Sequence, residues 1–247
     1  MQDTREEALS KRLVIILFCT LCAATVVLAI SRSTQNVTWK YEITVVVSTP
    51  EGDKSGSQIW EVSLAPQKFN NAIGYQERVR GEAVAVALGN RGHLFALMRS
   101  ANGQSYVRQV MYWAFPYEGR SNAVTTDQER ITFYSNLIGR KVVLKPDYYP
   151  QMVAVGDLGD PRTIQTVYKR KRGSIENMAV LEVDRVEEVY GEGVAIKEVT
   201  IQMTDDVVTF HLDEILPWIG NSNSEFIELN SSSGNSGPLA YTDFQRK

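Results

Sequence analysis

Hydrolysis through a nucleophile needs a side-chain base beside it and a third group to orient that base, and the usual base is histidine. The chain carries two, His93 and His211. His93 follows the turn Gly89-Asn90-Arg91-Gly92, and His211 lies between Phe210 and Leu212 in an alternating run, so each reads as a surface histidine on a strand. Lys54-Ser55-Gly56-Ser57 sets serine beside glycine but matches neither the Gly-x-Ser-x-Gly elbow nor a full phosphate-cradling loop, and reads as part of a hairpin loop. Acid–base work or calcium binding would fall to Asp157, Asp160, Asp205 and Asp206. Their spacing fits no EF-hand, and structural roles suit them: Asp160 before Pro161 as a helix cap, Asp205-Asp206 as a turn. Cys19 and Cys22, the two cysteines of the chain, have the spacing of a redox or zinc motif but sit inside an apolar run without partner ligands or water. The expectation is therefore no catalytic residue, no metal and no cofactor.

One concentrated charge remains, Lys169-Arg170-Lys171-Arg172, which reads as a solvated loop between elements. These four are the candidate binding residues, toward anionic lipid head groups or an acidic partner, each charge contributing about 1 kcal/mol near an anionic membrane surface. Over the whole chain 26 basic residues balance 29 acidic ones to a net charge of -3, which gives no electrostatic footprint for nucleic acid. The basic run also lacks an aromatic stacking platform, so nucleic acid is excluded as an expected partner.

The elements that position these residues begin with the uncharged run Leu13–Ile30. As a helix rising about 1.5 Å per residue it spans roughly 27 Å, close to the hydrocarbon thickness of a bilayer. It has no polar face, unlike a core helix. Arg5, Lys11 and Arg12 precede it and Arg32 and Lys40 follow, which places residues 1–12 in the cytoplasm and the remainder outside. A signal peptide cleaved near Val27-Leu28-Ala29 is the competing reading, but the run is long for one. A lipid-attachment site does not fit, since Phe18 and Leu21 precede the cysteines. Asn36-Val37-Thr38 and Asn230-Ser231-Ser232 are formal glycosylation triplets of a kind common by chance.

Beyond a linker through residue 40, Tyr41, Ile43, Val45 and Val47 alternate with more polar residues, the period of a half-buried strand. Turn formers at Thr49–Gly56 lead into a second strand with Trp60, Val62 and Leu64 inward. A second hairpin joins Ala83–Leu88 to His93–Met98, its alanine face suited to close coverage by another layer. Val107, Val110, Met111, Ala114 and Phe115 have helical spacing up to Pro116, and a capping box at Thr126–Glu129 opens a helix whose stripe is Ile131, Tyr134, Leu137 and Ile138. Strands are expected at Lys141–Leu144 and Gln151–Val155, a short helix from Asp160-Pro161 to Tyr168, and long strands at Met178–Val189 and Val194–Thr204. Breaks in alternation at Asp184-Arg185 and Lys197-Glu198 suggest bulges. A last hairpin turns at Asp205-Asp206 into Val208, Phe210 and Leu212, and Trp218 packs the end of the domain. Residues from Gly220 onward read as a flexible polar tail with a small cluster, Leu239–Phe244, able to dock on a partner.

The phrases Ser48-Thr49-Pro50-Glu51-Gly52, Ser55-Gly56-Ser57, Gly81-Glu82-Ala83-Val84, Gly92-His93-Leu94-Phe95-Ala96-Leu97, Asp157 with Asp160-Pro161, and Thr204-Asp205-Asp206 through Leu216-Pro217-Trp218 resemble a family of proteobacterial single-pass membrane-anchored proteins with a β-rich exported domain and no assigned activity. The resemblance runs from about residue 41 to 219 and implies the topology and one exported domain; it carries no site.

The expected fold class is α+β: one N-terminal transmembrane helix, then a mainly antiparallel β-rich domain, with a sandwich as candidate packing and a short helical insert. The expected organisation is a cytoplasmic tail over 1–12, a transmembrane helix over 13–30, a linker over 31–40, the exported domain over 41–219 and a flexible tail over 220–247. The expected function is a non-enzymatic binding or accessory module held at the periplasmic side of the inner membrane by Leu13–Ile30, meeting an envelope protein partner. The rival is a carboxylate-dependent envelope hydrolase or carbohydrate-acting enzyme using Asp157 and Asp160, which requires a second carboxylate within about 5 to 9.5 Å in a shared pocket.

Overall fold

The computed structural model describes residues 37–69, 72–99, 106–116, 133–170, 182–219 and 239–247. The run Leu13–Ile30 and residues 220–238 lie outside the described residues, and among the described residues no helix is long and apolar enough to cross a membrane. The chain divides into two compact units, residues 1–37 with 64–77 and residues 38–63 with 78–247. In the first, the described residues are 37, 64–69 and 72–77, all extended. The second holds the rest.

The architecture is α+β and mostly antiparallel sheet. Strands β1 (Val37–Ser48), β2 (Lys54–Phe69), β3 (Ala72–Glu82), β6 (Lys141–Val143), β10 (Ala195–Thr204) and β11 (Gln245–Arg246) make a six-stranded sheet in the order β11-β3-β2-β1-β10-β6. Strands β4 (Val84–Ala87), β5 (His93–Ala96), β7 (Met152–Val155), β8 (Ile164–Arg170) and β9 (Glu182–Asp184) make a five-stranded sheet in the order β4-β5-β7-β8-β9.

Alternation builds β1: Tyr41, Ile43, Val45 and Val47 are fully buried while Glu42, Thr44, Val46 and Ser48 are half-buried. β10 runs antiparallel beside it, from Lys40 opposite Thr204 to Ser48 opposite Ala195, and a register shift between Val46 and Val47 leaves Lys197 unmatched. The break in alternation at Lys197-Glu198 is this bulge. Helix α1 (Tyr106–Ala114) buries Tyr106, Val107, Val110 and Met111, one face of a 3.6-residue period. Tyr41 and Tyr106 both meet the Trp60 ring edge-on, at centroid separations of 6.0 and 5.9 Å, and the Tyr41 hydroxyl donates to the Val107 carbonyl.

Gly56 corrects the expected loop. A Cβ there would stand 2.1 Å from the Ala85 carbonyl oxygen, so glycine lets β2 approach β4 directly, and Ser55-Gly56-Ser57 belongs to β2. The loop shrinks to Thr49–Asp53, closed by the Gly52 N–H on the Thr49 carbonyl and the Thr49 hydroxyl on the Gly52 carbonyl.

A separate core cluster joins Phe95, Leu97, Val153, Val155 and Ile164 to Leu212 and Leu216, with Leu239 and Phe244 from the C-terminal segment. The expected docking cluster Leu239–Phe244 thus seats on its own domain: Phe244 is fully buried, β11 pairs with β3 through Gln245 opposite Glu82, and Asp243 forms a buried ion pair with Arg99 at 2.9 Å. Residues 239–247 are therefore not a flexible tail. Trp218 packs at this end, 5.2 Å from the Phe244 ring.

Further expectations change where tertiary bonds outweigh local pattern. The helix expected from Asp160 to Tyr168 is one turn, Pro161–Thr163, capped by the Asp160 carboxylate on the Arg162 N–H; Ile164 onward is β8, paired with β7. Of the strand expected over Met178–Val189, the described part is only β9, and helix α2 (Val186–Tyr190) follows, burying Val186 and Tyr190 one turn apart and stopped by Gly191 at φ 100°. The break at Asp184-Arg185 is thus a helix start rather than a bulge. No strand forms at Val208–Leu212, because the N–H groups of His211 and Leu212 donate to the buried Glu82 carboxylate at 2.8 and 3.0 Å and open helix α3 (Leu212–Ile215) instead. The polar strand β3 had no expected counterpart, since Gln76–Arg80 shows no apolar alternation. Of the stripe assigned to the second helix, Tyr134 and Leu137 are buried but Ile138 is 50% exposed, Gly139 having turned the chain. Residues 117–132 lie outside the described residues.

Candidate functional site

Strand β6 is short for a physical reason. It pairs with β10 over Thr200–Gln202, and the Leu144 N–H still reaches the Val199 carbonyl at 2.8 Å, but Pro146 then offers no N–H and turns the chain away. On its other side β10 stays paired to β1 as far as Ala195. Among the described residues, Ala195–Lys197 therefore has a strand on one side only.

A cleft of about 650 Å³ opens at this edge. Tyr149, Tyr168 and Val194, all buried, form its floor, the two phenol rings tilted at 45° with centroids 5.9 Å apart. Pro146, Gly193, Ala195 and Ile196 make the walls, and the exposed side chains of Asp184, Glu187 and Lys197 form the rim. The volume lies in the range of roughly 300–1,000 Å³ that suits a ligand, and an apolar floor with a polar rim is the usual anatomy of such a site.

Each rim residue is fixed by its own element. The Glu187 carboxylate on α2 accepts the Gly193 N–H at 3.0 Å, holding the turn before β10 against the helix. The Asp184 carboxylate accepts the Val186 N–H at 3.4 Å, where β9 passes into α2. Lys197 pairs with Asp53 on the β1–β2 turn, which raises the lysine pKa. Neither Asp184 nor Glu187 has an ion pair among the described residues, so the rim is acidic. Burial pushes the Tyr149 phenol above its ordinary range; the Val199 backbone opposes that rise and the Glu198 charge adds to it.

The residues singled out from sequence fall elsewhere. Lys169 is not on a solvated loop: it is 5% exposed within β8, opposite Val183, because the strand continues through it. Arg170 ends the same strand opposite Glu182, and Lys171 and Arg172 lie outside the described residues. Asp157 and Asp160 close the loop between β7 and β8. Asp157 accepts the Gly159 N–H at 2.9 Å, and the Asp160 carboxylate is gripped on both oxygens by Arg162, which holds it down to about 2. Neither lines the cleft. The Asp206 carboxylate accepts the Thr204 hydroxyl at 2.7 Å in the expected turn. His93 opens β5 as expected and stacks on Phe95; His211 is exposed near Glu214 rather than on a strand. Among the described residues no three His, Cys, Asp or Glu side chains group as metal ligands.

Sequence reasoning missed the cleft because its lining comes from four separated stretches. The legible signals were Pro146 just past a short strand and the broken alternation at Asp184-Arg185. No protein-family model, curated protein or solved structure matches the chain.

Proposed function

We propose that this chain is a membrane-anchored, non-enzymatic binding or accessory module of the bacterial cell envelope, of the kind its resemblance to proteobacterial single-pass proteins implies. In this reading residues 1–12 are cytoplasmic, Leu13–Ile30 crosses the inner membrane, and the β-rich domain works on the periplasmic side. The supporting observation is the cleft: a preformed aromatic floor with an acidic rim, next to an uncovered strand edge, has the anatomy of a surface that holds a partner. The anchor's part is supported by the uncharged run and the basic residues preceding it. Anchoring raises the local concentration of the cleft for anything in the same compartment.

The test joins topology to site. A periplasm-active reporter fused after Lys247 is expected to be active and to stay with membranes after an alkaline wash. A photo-crosslinking residue at Glu187 is expected to capture an envelope protein, and the same residue at Thr242, exposed just before β11 at the opposite edge of the six-stranded sheet from β6, is not. An inactive reporter, or equal capture from both positions, overturns the reading.

A further inference from the structure

Resting on the cleft as the binding site, the geometry points to its occupant: an extended peptide segment carrying a lysine or arginine beside an apolar residue, added as a strand along Ala195–Lys197 of β10. Three observations carry this. First, β6 stops at Val143 and Pro146 leads the chain off, so the lane that an antiparallel neighbour of β10 would occupy is empty among the described residues from Lys197 back to Ala195. That stretch is about 10 Å at about 3.3 Å per residue, enough for three or four peptide residues. A strand edge without a neighbour is recognised by backbone rather than by a rigid small molecule, here beside the bulge at Lys197 and an Ala195 carbonyl that already accepts the Ser48 hydroxyl at 3.2 Å.

Second, the floor beside that lane is lined by Tyr149 and Tyr168, both buried, their rings 5.9 Å apart between centroids and tilted at 45°. Side chains of a strand alternate between faces, so one peptide residue in two would point to the side of the cleft that these tyrosines line. An apolar side chain fits there by burial, and an alkyl-ammonium stem by burial with a cation over the ring.

Third, the facing rim carries Asp184 and Glu187, while Lys197, the one cation among its described residues, is already engaged by Asp53. The cleft therefore complements a basic segment and repels an acidic one. This reverses the partner chemistry expected from Lys169–Arg172, which pointed to acidic ligands.

The experiment uses the full-length chain in detergent and fluorescence anisotropy of labelled hexapeptides. The probe is Thr-Val-Lys-Val-Lys-Thr, compared with Thr-Val-Glu-Val-Glu-Thr and with the lysine peptide N-methylated at alternate residues. Saturable binding of the lysine peptide is expected, with affinity at least about tenfold lower for each comparison peptide. The double variant Asp184→Asn, Glu187→Gln keeps the oxygens that accept from Val186 and Gly193, so the fold is retained, and it is expected to lose the preference for lysine over glutamate. Equal binding of the glutamate peptide overturns the charge assignment, and indifference to N-methylation overturns strand addition. Binding of spermidine with no peptide binding overturns the peptide itself. If no peptide binds while Glu187 still crosslinks an envelope protein, this inference fails and the binding-module reading stands; if the crosslink is also lost, both fail.

Discussion

Replacing Glu82 by glutamine tests whether one buried carboxylate organises the C-terminal half of the domain. The side chain is 3% exposed and takes four hydrogen bonds. Its Oε1 accepts from Gln58 Nε2 at 2.6 Å and the His211 N–H at 2.8 Å, and its Oε2 from the Leu212 N–H at 3.0 Å and Gln245 Nε2 at 3.2 Å. Glu82→Gln puts an amide NH₂ in place of one oxygen, where it faces two donors whichever way it turns. Gln58 or Gln245 can flip to offer an oxygen, although a Gln58 flip breaks its bond from the Ile59 N–H at 2.9 Å. The backbone N–H of His211 or Leu212 cannot flip. One buried donor left unsatisfied costs about 1–3 kcal/mol, and the remaining bonds lose the strengthening that a charged acceptor provides, so the total is about 3 kcal/mol. For a chain of this size that lowers Tm by roughly 6–12 °C. Thermal and urea unfolding of the purified full-length chain, followed by circular dichroism, read the loss, and amide exchange at Leu212 localises it. A Glu82→Gln protein within about 0.5 kcal/mol of the parent, with Leu212 still protected, would refute the reasoning.

Gly56→Ala drives a methyl into the Ala85 carbonyl, 2.1 Å from the ideal Cβ, and is expected to cost about 1–3 kcal/mol or more in the same unfolding assay, whereas Gly156→Ala, whose methyl would meet Thr163 at an ordinary 3.5 Å, is expected to cost far less. Arg99→Met leaves the Asp243 carboxylate buried without its 2.9 Å partner; the cost is about 3–5 kcal/mol, and because residues 239–247 can lift off first, faster amide exchange is expected at Met98 and Ala83, which donate to the Asp243 and Phe244 carbonyls. Arg162 holds Asp160, and Arg91 holds Glu51, at about 2, below the ordinary 3.8 and 4.5. The folded chain then binds fewer protons than the unfolded one in this window, so the contribution is fully present above the ordinary values and is lost as pH falls toward 2. A Tm-against-pH series should fall across that window, and fall less steeply in Arg162→Ala; equal slopes would count against the pairing.

Much that depends on neighbouring residues is legible in the sequence itself. The alternation of Tyr41, Ile43, Val45 and Val47, the helical spacing of Val107, Val110 and Met111, the reversal at Gly89–Gly92, the bulge at Lys197 and the cap at Asp160 each depend on a local period or turn, and each appears in the fold. The apolar run Leu13–Ile30 likewise needs no tertiary information to be read as long enough for a bilayer. The readings that changed concern residues whose backbone partners are distant in sequence. Met178–Val189 has strand composition, but Val186 and Tyr190 gain burial only by winding into α2; Val208–Leu212 alternates like a strand, but its amides are taken by Glu82, some 130 residues away in the chain. Glycine at 56 looked like a loop former because the chain alone does not say that Ala85 lies against it. The candidate site is of the second kind throughout: Tyr149, Tyr168, Asp184, Glu187 and the edge of β10 carry no shared spacing, and only the pairing of β6, β8, β9 and β10 brings them around one cleft. Local sequence sets which elements are affordable, and long-range burial and hydrogen bonding decide which of them the chain adopts and what they enclose.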